Sequence, residues 1–86
     1  MPVHVEVTYD MSKQLGTHRL ELSGATVGEV VDAVRARFAD DPALYEKLTA
    51  HTAVAVNGVL VRYGDRLQTK LADGDRLSFV KAAAGG

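Results

Sequence analysis

Two hydrophobic periods follow one another in this chain, and their order restricts the fold more than any other feature. Val3, Val5, Val7 and Tyr9 alternate with His4, Glu6 and Thr8, the period-two pattern of a strand with one buried face. Beyond Thr26 the period lengthens. Val27, Val30, Val31, Val34 and Phe38 fall at spacings of three, one, three and four, which draws one apolar stripe along a helix and leaves Asp32, Arg35 and Arg37 off it. Thr26-Val27-Gly28-Glu29 opens that helix as a capping box: the Thr26 hydroxyl can accept from the Glu29 amide while the Glu29 carboxylate returns to the cap. Valine is a poor helix former, so packing on a sheet must hold the helix.

The flanking segments fit the same two-layer plan. Thr17 to Leu22 alternates, with His18, Leu20 and Leu22 on one face, and polar Asp10 to Gly16 reads as a turn, so the first two strands form an N-terminal hairpin. Asp40-Asp41-Pro42 ends the valine helix, and Pro42 is placed to open a second short helix through Leu44, Tyr45 and Leu48, with the aspartates as caps. Ala53 to Val56 is a strand, Asn57-Gly58 a two-residue hairpin turn and Val59-Leu60-Val61 the return strand. A helical-turn crossing runs from Gly64-Asp65 through Leu67 and Leu71. Asp73-Gly74-Asp75 is a tight turn, and Arg76 to Val80 is the last strand, with Leu77 and Phe79 on one face and Ser78 and Val80 on the other. The fold class is α+β, a sheet with one principal helix across it.

Composition removes several functions. Net charge is −1 with both signs interspersed, and the basic stripe of a nucleic-acid binder is missing. There is no cysteine, which excludes disulfides, thiolate metal sites and a cysteine nucleophile on this chain. No apolar run reaches signal-peptide or membrane-span length, so the expected location is the cytoplasm, away from membranes. His4, His18 and His51 are scattered without metal-ligand spacing, and Asp73 and Asp75 are turn formers without the further oxygen ligands of a cation loop. No metal site and no nucleophile–base pair is expected, which argues against a freestanding enzyme.

The chain closes on Lys81-Ala82-Ala83-Ala84-Gly85-Gly86. After Lys81 no side chain exceeds a methyl group, so this segment has nothing to pack into its own core. It suits a narrow channel in a partner, because glycine has no Cβ to clash, and six extended residues reach roughly 20 Å. Lys81, at its base, is either a solvated lysine or a partner for an acidic rim. Val80, exposed beside Lys81, is a candidate docking residue, with Ala55 as its expected neighbour.

Val54-Ala55-Val56-Asn57-Gly58, Leu67 to Leu71, Ala72-Asp73-Gly74-Asp75 with Leu77 and Phe79, and Gly85-Gly86 occur in the order of a known signature. The chain resembles the ubiquitin-like β-grasp sulfur carriers of the ThiS/MoaD family over nearly its whole length. The resemblance implies a β-grasp domain over residues 1–80, with a mixed four- to five-stranded sheet packed on one main helix, and a flexible tail over residues 81–86. It implies a protein co-substrate, not a catalyst. An E1-like adenylyltransferase, using ATP and magnesium, would adenylate the Gly86 carboxylate. A persulfide or rhodanese-type sulfur donor would convert it to a thiocarboxylate for a sulfur-acceptor biosynthetic enzyme. Gly85, Ala84, Ala83 and Ala82 would thread the partner's active site, and no bound cofactor is implied. The alternatives are the small subunit of a molybdopterin-synthase-like complex, and a ubiquitin-like modifier forming isopeptide bonds through Gly86.

Overall fold

The computed structural model describes residues 2–81. Five strands form one mixed sheet: β1 (Val3–Glu6), β2 (Arg19–Leu22), β3 (Thr52–Val56), β4 (Val59–Val61) and β5 (Arg76–Lys81), in the spatial order β2-β1-β5-β3-β4. β5 is central. It runs parallel to β1, with His4 opposite Arg76 and Glu6 opposite Ser78, and antiparallel to β3, with Thr52 opposite Lys81 and Val56 opposite Leu77. β1–β2 and β3–β4 are antiparallel. This is the β-grasp architecture, with five strands.

The described residues hold three α-helices, α1 (Tyr9–Leu15), α2 (Val27–Ala36) and α3 (Pro42–Thr49), and a short 3-10 turn over Tyr63–Asp65. α2 forms as its stripe requires: Val27, Val30 and Val34 are fully buried against Val3, Val5, Val54 and Leu77. Each such side chain contributes roughly 1.5–3 kcal/mol on leaving water, which outweighs the modest helix propensity of valine. The Glu29 amide donates to the Thr26 hydroxyl at 3.2 Å, and the Glu29 carboxylate accepts from the Ala25 amide at 3.0 Å. Phe38 lies just past the helix, buried, with its ring 5.4 Å from that of Tyr45. Asp41 caps α3 by accepting from the Leu44 amide at 3.1 Å, with Pro42 in the first turn.

The crossing after β4 ties down the start of α2. The Val27 and Gly28 amides donate to the Thr69 and Arg66 carbonyls, each at 2.9 Å, and Leu71 donates to Ala25 at 2.9 Å. At Gly28 a Cβ would sit 2.8 Å from Leu67 Cδ2, the end of an exposed side chain, and at ordinary contact distance from the backbone of Arg66 and Leu67.

One expectation fails. Residues 10–16 are not a hairpin turn, and Tyr9 does not continue β1: Tyr9 to Leu15 is helix α1. Thr8 caps it, accepting from the Met11 amide at 3.2 Å, and Gly16 closes it in the left-handed region at φ 77°. Met11 is fully buried and Leu15 packs on the core, so an i, i+4 apolar pair holds a segment that looks polar in composition.

Candidate functional site

The chemistry expected of this chain belongs to Gly86, and Gly86, Gly85, Ala84, Ala83 and Ala82 lie outside the described residues. What the structure shows is the base from which they continue. Lys81 ends the central strand, and its ammonium lies 3.2 Å from the Asp10 carboxylate on α1. Lys81 therefore has a partner within its own domain. The pair is largely exposed and worth no more than about 1 kcal/mol.

Alternation along β5 sends Leu77 and Phe79 into the core and leaves Val80 exposed on the helix-free face. The strand register places Ala53 directly opposite Val80, and Ala55, opposite Ser78, one step along the same face. Ala55 is only 5% exposed, because its short side chain sits low between flanking strands. On the other side Ala55 faces Leu60 of β4, which is 67% exposed. Val80, Ala53 and Leu60 thus share an apolar strip, with Ala55 as its flat floor.

The rest of that face is charged. Arg19 and Arg76 flank the Glu6 carboxylate at 3.8 and 3.5 Å, and His4 lies 3.7 Å from Glu21. One half of the sheet's open face is therefore polar and the other, beside the tail base, apolar.

Two of the quoted signature pieces prove to be one interlock between turns. The Asn57 side-chain amide donates to the Asp75 carboxylate at 3.1 Å, and its oxygen accepts from the Arg76 amide at 3.0 Å. Asp75 also accepts from the Ala72 amide at 2.8 Å. The Ala72 N–H and then the Asn57 amide favour the ionised form and hold the Asp75 carboxyl below its usual range. These residues set the start of β5 and so align the strand that leads to the tail.

On the helix side a groove of about 480 Å³ lies between α2, α3 and the crossing, lined by Val31, Arg35, Tyr45, Thr49 and Leu67 among others. Burial pushes the Tyr45 phenol up from its ordinary value, against the opposing pull of Arg35 and Arg66. That makes Tyr45 a structural tyrosine, with Arg35 over its ring at 5.5 Å. Among the described residues no three His, Cys, Asp or Glu side chains group to hold a metal, and no helix is long and apolar enough to cross a membrane.

Sequence reasoning missed Tyr9, Asp10 and Leu60. The bracketing of residues 9–15 by Thr8 and Gly16 was a legible sign of α1. Leu60, between Val59 and Val61, had to face the opposite side from both.

Comparison with known proteins agrees with this geometry. The mycobacterial "Sulfur carrier protein CysO" of Mycobacterium tuberculosis is 32% identical over 77 residues, covering 83% of each chain. A chain of the Amycolatopsis orientalis BexX/CysO complex superposes with a TM-score of 0.73 at 35% identity, covering 98% of this chain and 99% of that one. A chain of the complex of subunits 1 and 2 of the molybdopterin-converting factor from Helicobacter pylori gives a TM-score of 0.63 at 26% identity, over the full length of both. The model of the ThiS family matches residues 8–86, from the cap of α1 through the diglycine. That match, over nearly the whole of a chain folded as a five-stranded β-grasp sheet, makes it a member of the ThiS family.

Proposed function

We propose that this protein is a sulfur carrier whose Gly86 carboxylate is the reacting group. The observation that carries the reading is the family match running through Gly86, on a chain whose last strand delivers the tail from the centre of the sheet. A carboxylate is a poor electrophile, since its charge repels nucleophiles and oxide is a poor leaving group. An E1-like enzyme, with ATP and magnesium, supplies the remedy: the carboxylate attacks the nucleotide's α-phosphate, pyrophosphate leaves, and a Gly86 acyl-adenylate forms. A persulfide donor attacks the acyl carbon and AMP departs. A thiol then cleaves the sulfur–sulfur bond to leave the thiocarboxylate. The carrier itself holds no cofactor and works in the cytoplasm.

The chain's own contribution is recognition and reach. Gly85 and Gly86 clear the reacting carbonyl of side chains, and Ala82, Ala83 and Ala84 keep the approach thin. Val80 and Lys81, with the strip over Ala53, Ala55 and Leu60, form the surface next to the tail that a partner enzyme meets. The likeness to a subunit of a molybdopterin-converting factor supports a second reading, in which the tail stays inserted in a larger subunit.

The test is the intact mass of the protein from its own cells. A species heavier by the exchange of one oxygen for sulfur, localised to Gly86, is expected. If only the carboxylate is found, even after incubation with ATP, a sulfur source and the cell's E1-like enzyme, the carrier reading fails. Stable co-purification with a larger subunit selects the second reading.

A further inference from the structure

We propose that the ring of Tyr9 is a contact residue for the rim of the adenylating enzyme's entrance, on the opposite side of the tail base from the apolar strip. The inference rests on the sulfur-carrier reading and adds a residue which that reading does not require.

Reach supplies the first argument. Five residues, 82–86, follow Lys81, and five extended residues span about 17 Å. An enzyme that encloses the Gly86 carboxylate must therefore bring its rim to within that distance of Lys81, so the rim lands on the end of the sheet from which the tail departs. The structure says what lies there. Asp10 meets Lys81 at 3.2 Å, and Tyr9 directly precedes Asp10. The Val7 amide donates to the His18 carbonyl at 3.0 Å at the same end, and the His18 ring stacks on Tyr9 at 6.3 Å. Tyr9 and Asp10 at the start of α1, His18 just before β2 and Lys81 at the end of β5 thus lie together at one end of the sheet.

The state of the Tyr9 side chain supplies the second. It is 64% exposed, while Met11, two residues on and so on the opposite face of α1, is fully buried. Two polar groups steady it in that outward position: His18 on one side and the Lys13 ammonium 4.7 Å from the ring centre. An aromatic ring held in place before binding loses little side-chain freedom on contact. Tyrosines of this kind are enriched among residues that dominate interface energies.

The test uses the full-length carrier and its adenylating enzyme, followed by ATP–pyrophosphate exchange. Tyr9→Ala is expected to raise the KM for the carrier about tenfold, the effect of a moderate hot spot, with kcat within twofold. Tyr9→Phe, which keeps the ring, is expected to restore KM, and Val59→Ser, an exposed change at the far end of the sheet, to leave it unchanged. Circular dichroism confirms that each variant folds. A Tyr9→Ala KM within twofold of the wild type, with Gly86 still adenylated, overturns the inference and leaves the carrier reading standing. Failure of the wild type itself to be adenylated removes the carrier reading.

Discussion

Replacing Asn57 separates two contributions that the interlock combines. Asn57 sits at φ 50° and Gly58 at φ 85°, the two positive values that a type I′ hairpin turn demands. Its side chain makes both exposed hydrogen bonds to the following turn, at 3.1 Å to Asp75 and 3.0 Å to Arg76. Asn57→Ala removes two bonds worth about 0.5–1 kcal/mol each at an exposed site. It also places a residue without a compensating side chain in the left-handed region, at a further cost of about 1 kcal/mol. The sum is about 2–3 kcal/mol. Asn57→Gly loses the same bonds but takes the backbone conformation freely, so its deficit is roughly 1–2 kcal/mol. In a domain of this size each kcal/mol moves the thermal midpoint by about 4–8 °C. Unfolding followed by circular dichroism should therefore show Asn57→Ala about 10–20 °C below the wild type, with Asn57→Gly between them. Equal midpoints for the two variants would refute the backbone contribution. Two variants within about 2 °C of the wild type would refute the interlock itself.

The same interlock carries a pH signature. The folded carboxyl of Asp75 is held below its ordinary value of 3.8, so the unfolded chain takes up its proton first as pH falls, and the stabilisation present above that value is lost as pH drops through the folded pKa. Acid titration of the unfolding midpoint should be steeper below pH 3.8 in the wild type than in Asp75→Asn; parallel curves would contradict the assignment. At Gly28 two effects oppose each other: alanine gains about 1 kcal/mol of helix propensity, while its Cβ meets only the swinging end of the exposed Leu67 side chain at 2.8 Å. Gly28→Ala should leave the midpoint unchanged or raised, whereas the larger Gly28→Val presses toward the Leu67 Cα and the Arg66 carbonyl and should lower it.

Local chemistry carried most of the fold into the sequence. The Thr26–Glu29 box, the valine stripe, Asp41-Pro42 and the Asn57-Gly58 and Asp73–Asp75 turns each specify their conformation within a few residues, and each forms where its pattern lies. Helix α1 escaped because it has only seven residues and two apolar contacts, too few for a period to stand out from a polar turn. The tail base was less legible for a different reason. Its determinants pair residues far apart in the chain: Asp10 with Lys81, Ala53 with Val80, Ala55 with Leu60 and Ser78. Alternation told which face Val80 takes, but only the strand register could put Ala53 directly opposite it, with Ala55 one step along. The diglycine was conspicuous in the sequence, while the surface that surrounds its point of departure was not.

The central position of β5 has a mechanical meaning for a protein that offers its tail to others. A strand at the rim of a sheet can be peeled away one hydrogen bond at a time. β5 lies between β1 and β3, paired with β3 from Leu77 to Lys81 and with β1 from Arg76 to Ser78, so tension drawn along residues 82–86 meets the β3 ladder first and both ladders in shear behind it. A partner can haul on the thin end of this molecule without unravelling the body to which it is attached.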